Sequence, residues 1–282
     1  MGAARAQVAA STIERHGDVP EVFITERPGH ARELAKAAVK RGVRLVLAWG
    51  GDGTLNEVAS ALAFGEIPVG IVPSGSGNGL ATELGVPRKP ADAIAAALRA
   101  SPRLIDVGDI DDHLFVNIAG IGFDAYVAAR FNDPSNLRRG LLGYARISAP
   151  ALLRYVPERY RVSFESGDSG SGEHHATRAV LVTIANGAQF GNNARIAPDA
   201  RVDDGLLDLV VVEETSRLRM VMQVPKLFNG SAAAVAGYKM MRVRRATIES
   251  DRPMTYHVDG EPMVGGTSLR ARVHPRALWI AA

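Results

Sequence analysis

The sequence predicts a two-domain chain, an N-terminal doubly wound α/β domain followed by a C-terminal antiparallel β-sandwich. Three observations predict it. Up to about Ser101, apolar strand-like runs alternate with helix-like stretches over short connections, as in doubly wound α/β domains. From about Leu104, strands dominate with turn signals between them, as in antiparallel sandwiches. At 282 residues the chain is long enough for two cores. The boundary is expected between Ser101 and Asp106, giving domains 1–105 and 106–282 with no internal repeat.

In the first domain, "HARELAKAAVKRG" (His30 to Gly42) reads as a helix stopped by a glycine. "VRLVLAW" (Val43 to Trp49) is a near-continuous apolar strand, expected where both sheet faces are covered. "TLNEVASALAF" sets Leu55, Val58, Ala59 and Leu62 on one helical face. "IPVGIVP" is the next buried strand, and "PADAIAAALRA" is a helix opening on proline. In the second domain the strands are "RLIDVGDI", "HLFVNIA", "RYRVSFES", "TRAVLVTIAN", "LLDLVVV", "RRATIES", "MTYHV" and "SLRARV". Helices are expected at roughly Leu137 to Tyr155 and at Arg217 to Phe228, and "SGDSGSGEHH" (Ser166 to His175) reads as a flexible hairpin loop.

Composition narrows the function classes. A hydrophobic fraction of 46% and a charged fraction of 22% are ordinary for a globular protein. With no cysteine there is no disulfide framework and no thiolate zinc site. The N-terminus lacks an apolar signal-peptide core, and no apolar run reaches transmembrane length. A formal charge of +3 is too small to argue for nucleic acid and gives weak support for an anionic membrane surface. The seven histidines show no metal-ligand spacing, and His174 and His175 are expected to be exposed.

The chemistry concentrates in glycine loops. "GGDGT" (Gly50 to Thr54) follows a buried strand and opens a helix. Glycine allows close backbone approach, and a helix start offers unpaired N–H groups and a positive dipole end. That combination binds phosphate without a basic side chain. Thr54 with Glu57 also spells a Thr-x-x-Glu capping box. Asp52 is the residue a purely structural turn does not need: a carboxylate among phosphate-binding amides calls for a Mg²⁺ or a reacting proton beside it. A second glycine loop, "VPSGSGNGLATELG" (Val72 to Gly85), follows the next strand. Loops on neighbouring parallel strands meet at the carboxyl end of the sheet, where open α/β sheets bind ligands. Neither loop is a Walker A motif, because no Gly-Lys-Ser/Thr follows.

"GGDGTLNEV", "PSGSGNGLA", "NIAGIGFDA", "PDARVDDGLLDLVVV" and "VDGEP" stand in the order seen in the diacylglycerol kinase catalytic-domain family of lipid kinases. The chain resembles that family from about Thr25 onward. "TERPGHARELA" and the "GSGN" form of the second loop are similar to the sphingosine kinase branch, and "VDDGLLDL" to the bacterial lipid kinases. "GGDGT" alone would also suit NAD kinases; the ordered set is specific. The resemblance implies an ATP- and Mg²⁺-dependent kinase that phosphorylates a lipid hydroxyl. NAD kinase and a degenerate, non-catalytic nucleotide- or lipid-binding module stand as alternatives. By resemblance, Gly50, Gly51, Asp52, Gly53, Thr54, Asn56, Glu57, Ser74, Gly75, Ser76 and Asn78 would bind nucleotide, with Thr25 contacting it. Asp52 would sit near the metal and the reacting hydroxyl, and Glu261 would be the general base. A structural Mg²⁺ would take the Arg201 carbonyl, the Asp204 carboxylate and the Leu206 carbonyl.

Asp203 to Gly205 and Asp259–Gly260 also read as plain turns. Arg139 and Arg146 are candidates for ATP phosphates or for a solvated helix face, and Asp124 is a candidate for the lipid pocket. A cytoplasmic protein is expected, a candidate homodimer without nucleic acid, which for want of a transmembrane run would meet its lipid peripherally at the inner membrane face. One departure stands out. The family opens with a strand followed by "NPxSG", which helps bind nucleotide. Nothing like it stands before Thr25, and "ARAQVAASTIERHG" resembles the helix that would follow that strand. The expectation is an α/β domain without its first strand, whether by late start, truncation or loss. A neighbouring strand edge would be uncovered and phosphate contacts removed.

Overall fold

The structure, a computed structural model, describes residues 2–131, 150–166, 171–191, 194–228 and 230–282. Two compact units emerge, Met1–Ile105 with Arg276–Ala282, and Asp106–Pro275. The tail assigned to the second domain by sequence thus returns to the first. Arg139 and Arg146, and most of the helix expected from Leu137, lie outside the described residues.

The first unit begins with α1 (Gly2–Arg15), α2 (His30–Arg41), β1 (Val46–Gly50), α3 (Asp52–Leu62) and β2 (Val69–Pro73). It continues through α4 (Gly79–Glu83) and α5 (Pro90–Arg99). Strands β1 and β2 are parallel, with Val46 opposite Val69 and Gly50 opposite Pro73. α1 packs on α5 and α2 on α3. The layer under α1 and α5 holds Ala9, Val72, Ala93 and Ile94, with Leu47 and Trp49 packed against them. Gly42 stops α2 as expected: at φ 68° it is left-handed and returns its N–H to the Ala38 and Val39 carbonyls. Among the described residues β1 pairs with β2 alone. A cavity of about 460 Å³ adjoins it, lined by Leu45, Leu47 and Trp49 and by Val22, Phe23 and Ile24.

The second unit is antiparallel. Its strands start with β3 (Arg103–Ile110), which also reaches into the first unit, β4 (His113–Phe115), β5 (Ile118–Gly122), β6 (Glu158–Ser166) and β7 (Ser171–Ala185). Then come β8 (Gln189–Gly191), β9 (Ala194–Arg195), β10 (Leu207–Glu213) and β11 (Tyr238–Ser250). β12 (Thr255–Val258), β13 (Glu261–Val264) and β14 (Ser268–Ala281) complete it, with helices α6 (Phe123–Phe131) and α7 (Arg217–Phe228). The expected loop at Ser166 to His175 is corrected: β7 already runs from Ser171, pairing Ser171 with Glu165. The expected strand "HLFVNIA" breaks at Val116 and Asn117 into β4 and β5.

Two long strands make the sandwich corners. The first part of β7 pairs with β6, and the rest with β10 and β5. The first part of β11 pairs with β10, and the rest with β6 and β14. Register shifts at Val243/Arg245 and Glu158/Tyr160 mark the bends, the usual device by which one strand serves two layers. The core includes Phe115, Ile121, Val182, Leu209, Ile248 and Tyr256.

A charged cluster ties β3 to β14. The Asp109 carboxylate accepts from Arg272 Nη2 at 2.9 Å, from Arg272 Nε at 3.2 Å and from His274 Nε2 at 3.2 Å. Burial pushes the Asp109 pKa up, but Arg272 and His274 outweigh it and hold it below the ordinary value. The cluster therefore adds stability above the unfolded aspartate pKa of about 3.9 and loses it as pH falls through the lower folded value. The urea midpoint should drop below about pH 4, with a shallower pH slope in Asp109→Asn. Equal slopes would sink this assignment.

Candidate functional site

The glycine loops of the first unit meet. A Cβ on Gly51 would stand 3.2 Å from the Gly75 Cα, so both backbones need glycine to lie this close. Ser74 N–H donates to the Gly50 carbonyl at 2.8 Å, holding the loops in register beyond the strand ends. A Cβ on Gly50 would run into the Thr54 side chain. Asn78, at φ 50°, closes the second loop: its Oδ1 accepts from Gly75 N–H at 2.9 Å and its Nδ2 donates to the Gly75 carbonyl at 2.7 Å.

Asp52 joins the loops. Its carboxylate accepts from Asn78 N–H and Gly79 N–H, each at 2.8 Å, so the first loop caps the helix opened by the second. The capping box expected within α3 is corrected. Gly51 is the N-cap of α3, no side chain caps it, and Thr54 lies inside the helix. Glu57 instead reaches α2, accepting from Gly29 N–H at 2.7 Å and Ala31 N–H at 3.0 Å. It serves the N-terminus of α2 as a negative group should. Asn56 is buried within α3 and accepts from Ser60 Oγ at 3.5 Å. Thr25, Ser74 and Ser76 are exposed, and Arg5 Nη1 reaches Ser74 Oγ at 3.5 Å. The start of α3, with the small hydroxyls of Ser74 and Ser76 beside it, suits a phosphate group.

In the second unit, Glu261 is the exposed first residue of β13, paired with Val258 across a two-residue turn. Asp259 (φ 47°) and Gly260 (φ 89°) are both left-handed, as a tight hairpin with Asp-Gly requires. Beneath the turn, Asp259 is buried and its carboxylate accepts from Val116, Asn117 and Ile118 N–H at 2.9, 3.0 and 2.9 Å. Those are the amides left unpaired where β4 and β5 part. His257 adds a second tie: its Nδ1 accepts from Gly260 N–H at 3.2 Å and its Nε2 lies 2.8 Å from Asp124 Oδ2. Burial disfavours the charged imidazole, but Asp124 and then Asp259 outweigh it and raise the His257 pKa. Asp124, a lipid-pocket candidate by sequence, is thus engaged inside the fold with only 2% of its side chain exposed.

The "GIG" of "NIAGIGFDA" follows from this pair. A Cβ on Gly120 would fall on Asp124 Oδ2 and His257 Nε2, and Gly122 at φ 87° turns β5 into α6. Gly120→Ala should therefore cost about 1–3 kcal/mol or more in urea unfolding, because overpacking here separates a buried ion pair. A midpoint equal to wild type would refute it. Sequence reasoning missed Asp259, His257 and Asp124 as anchors. His257 and Asp259 stand in and beside "VDGEP", but their partners, Asp124 on α6 and the amides of Val116 to Ile118, lie far away in the chain.

The aspartate-rich loop is anchored on Asp106, whose Oδ2 accepts from Gly205 N–H at 2.6 Å. Asp204 accepts from Leu206 N–H at 3.1 Å and pairs with Arg242. Arg201 is exposed beside Asp203 and Leu206 is buried. Asp208 is pushed up to about 6, by burial first and by Asp204 and Asp199 against Arg242. Its buried Oδ1 has no hydrogen-bond partner among the described residues. No group of three or more His, Cys, Asp or Glu side chains able to hold a metal occurs among the described residues. A cation here would lean on backbone carbonyls, and crowded carboxylates with an orphaned oxygen fit a hard divalent ion.

Residues 2–110 match the family model of the diacylglycerol kinase catalytic domain, and residues 117–282 that of the YegS C-terminal NAD kinase beta sandwich-like domain. A "Probable lipid kinase YegS-like" protein of Chromohalobacter salexigens is 33% identical over 281 residues, spanning 97% of this chain and 87% of that protein. One from Pseudomonas aeruginosa strain PAO1 is 35% identical over 278 residues, with the same coverage of 97% and 87%. The crystal structure of a diacylglycerol kinase from Bacillus anthracis shares the fold, with a TM-score of 0.73 at 18% identity, over 99% of this chain and 90% of that one. With both halves matched and relatives a third identical along nearly all of it, the chain belongs to the diacylglycerol kinase catalytic-domain family, alongside the YegS-like lipid kinases.

Proposed function

We propose that the chain is an ATP- and Mg²⁺-dependent lipid kinase that phosphorylates a lipid hydroxyl, such as that of diacylglycerol or a sphingoid base. The observation that carries this reading is the contact of Gly51 with Gly75, which brings the two glycine loops together at the start of α3 on the first unit. Residues 1–105 with the returning tail 276–282 would serve as the ATP-binding domain and residues 106–275 as the lipid-binding domain. Gly50 to Glu57 and Ser74 to Asn78 hold the phosphates, with Thr25 and Ser76 toward the rest of the nucleotide. Asp52 holds the second loop through Asn78 and Gly79 and stands at the start of α3, where it would face the metal–nucleotide complex.

The lipid hydroxyl attacks the γ-phosphorus in line, Glu261 accepts the hydroxyl proton, and the bond to the β–γ bridging oxygen breaks to release ADP. Mg²⁺, when bound, neutralises charge on the β- and γ-phosphate oxygens. A second, structural Mg²⁺ would be held by Asp204 and by the Arg201 and Leu206 carbonyls, close to the orphaned Asp208 oxygen. No helix among the described residues is long and apolar enough to cross a membrane. The lipid is then met by peripheral association, at the inner face of a cytoplasmic membrane. Radiolabelled ATP offered with a lipid panel and with NAD tests the reading. Label in a lipid acceptor is expected; label only in NAD would favour a NAD kinase, and label in neither would leave a binding module.

A further inference from the structure

We propose that the outward face of α7, with the neighbouring segment at Leu153 and Val156, is a docking surface for an anionic lipid bilayer. This deepens the lipid kinase reading and rests on it. α7, "RLRMVMQVPKLF", is apolar on two opposite faces. Its inner face buries Met220, and Val221 and Val224 pack on the cluster of Leu152 and Val180. Gln223 fixes that face, accepting from Ala236 N–H and donating to the Arg219 carbonyl. The helix is therefore fully seated, and its second apolar stripe is left outside. Leu218 and Met222, one turn apart, are each 70% exposed. Arg217 Nη1 donates to the Leu153 carbonyl at 2.8 Å, bringing in Leu153 at 47% and Val156 at 60% exposure.

The helix itself carries charge of one sign. α7 contains no carboxylate, Arg217 and Arg219 flank Leu218, and Glu214 ahead of the helix is paired with Arg178. A helix with an exposed apolar stripe bordered by arginines suits an interface of acyl chains and anionic headgroups. A protein partner of ordinary surface would leave the arginines to be matched one by one, whereas a bilayer matches them by its field.

The test is sedimentation with phosphatidylcholine vesicles, with and without phosphatidylglycerol. Wild type should bind the anionic vesicles, more weakly as salt rises. The double variant Leu218→Glu/Met222→Glu should bind at least about tenfold more weakly, and Arg219→Glu should lose the preference for anionic lipid. Thermal melting of the variants should match wild type, because the changed side chains are exposed. Undiminished vesicle binding by the double variant would overturn the proposal. So would a wild-type dimer that the double variant dissociates, since a second copy would then cover the face. Phosphorylation of a short-chain acceptor dispersed in detergent should be unchanged in the double variant. If wild type phosphorylated no lipid while the double variant still lost vesicle binding, the kinase reading would fail and the docking surface would stand.

Discussion

Replacing Glu261 with glutamine is expected to lower kcat by about 10²- to 10⁴-fold, the share a positioned general base supplies. Glutamine keeps the shape and removes the proton acceptor. KM for ATP should change little, because Glu261 belongs to the second unit and the glycine loops proposed to hold ATP belong to the first. The fold should not suffer, since Glu261 is exposed at the start of β13 and the turn before it is held by Asp259 and His257. The measurement is steady-state phosphorylation of the best lipid acceptor, with thermal melting as the control. A variant that keeps more than about a tenth of wild-type kcat would remove Glu261 from the role of base.

The second large effect is on folding. Asp259→Ala should destabilise the second unit by about 3–5 kcal/mol, a major part of a domain stability of about 5–15 kcal/mol. Its carboxylate satisfies the N–H groups of Val116, Asn117 and Ile118 at once. Removing it strands those buried amides at the break between β4 and β5, and each orphaned donor costs about 1–3 kcal/mol. Asp259→Asn keeps an accepting oxygen at Oδ1, which alone serves Asn117 and Ile118, and should lose only part of that. Urea unfolding of the three proteins gives the comparison. An alanine variant within 1 kcal/mol of wild type would show that water or a strand shift replaces the carboxylate at about the strength of one ordinary hydrogen bond.

What could be read in the sequence was what is local. The Gly42 helix stop, the buried strands, the Asp259–Gly260 hairpin and the alternation of elements all depend on neighbours in the chain. The glycine loops were legible because phosphate chemistry and backbone geometry demand the same residue. Errors arose where a local pattern had a distant partner. Thr54 and Glu57 have capping-box spacing, yet Glu57 is taken by amides of α2, and Asp52, which no local rule employed, caps α4. The burial of Asp124 against His257 could not be read either, because nothing in "GIGFDA" announces an ion pair across strands. The end of β14 was missed for a similar reason: nothing local in "ALWIA" announces that its strand partner is β2.

That pairing sets an order of events in the cell. Ile280 lies opposite Val69 and Ala281 opposite Gly70, so the sheet of the first unit includes a strand that follows the whole second unit in the chain. On the ribosome the first unit must wait, with one edge of β2 uncovered, until Asp106 to Pro275 has been made. Such an edge invites mispairing during synthesis. The segment through Ile105, released early or expressed by itself, is a sheet still short of a strand, and the natural guard against that hazard is rapid completion of the sandwich that carries the strand home.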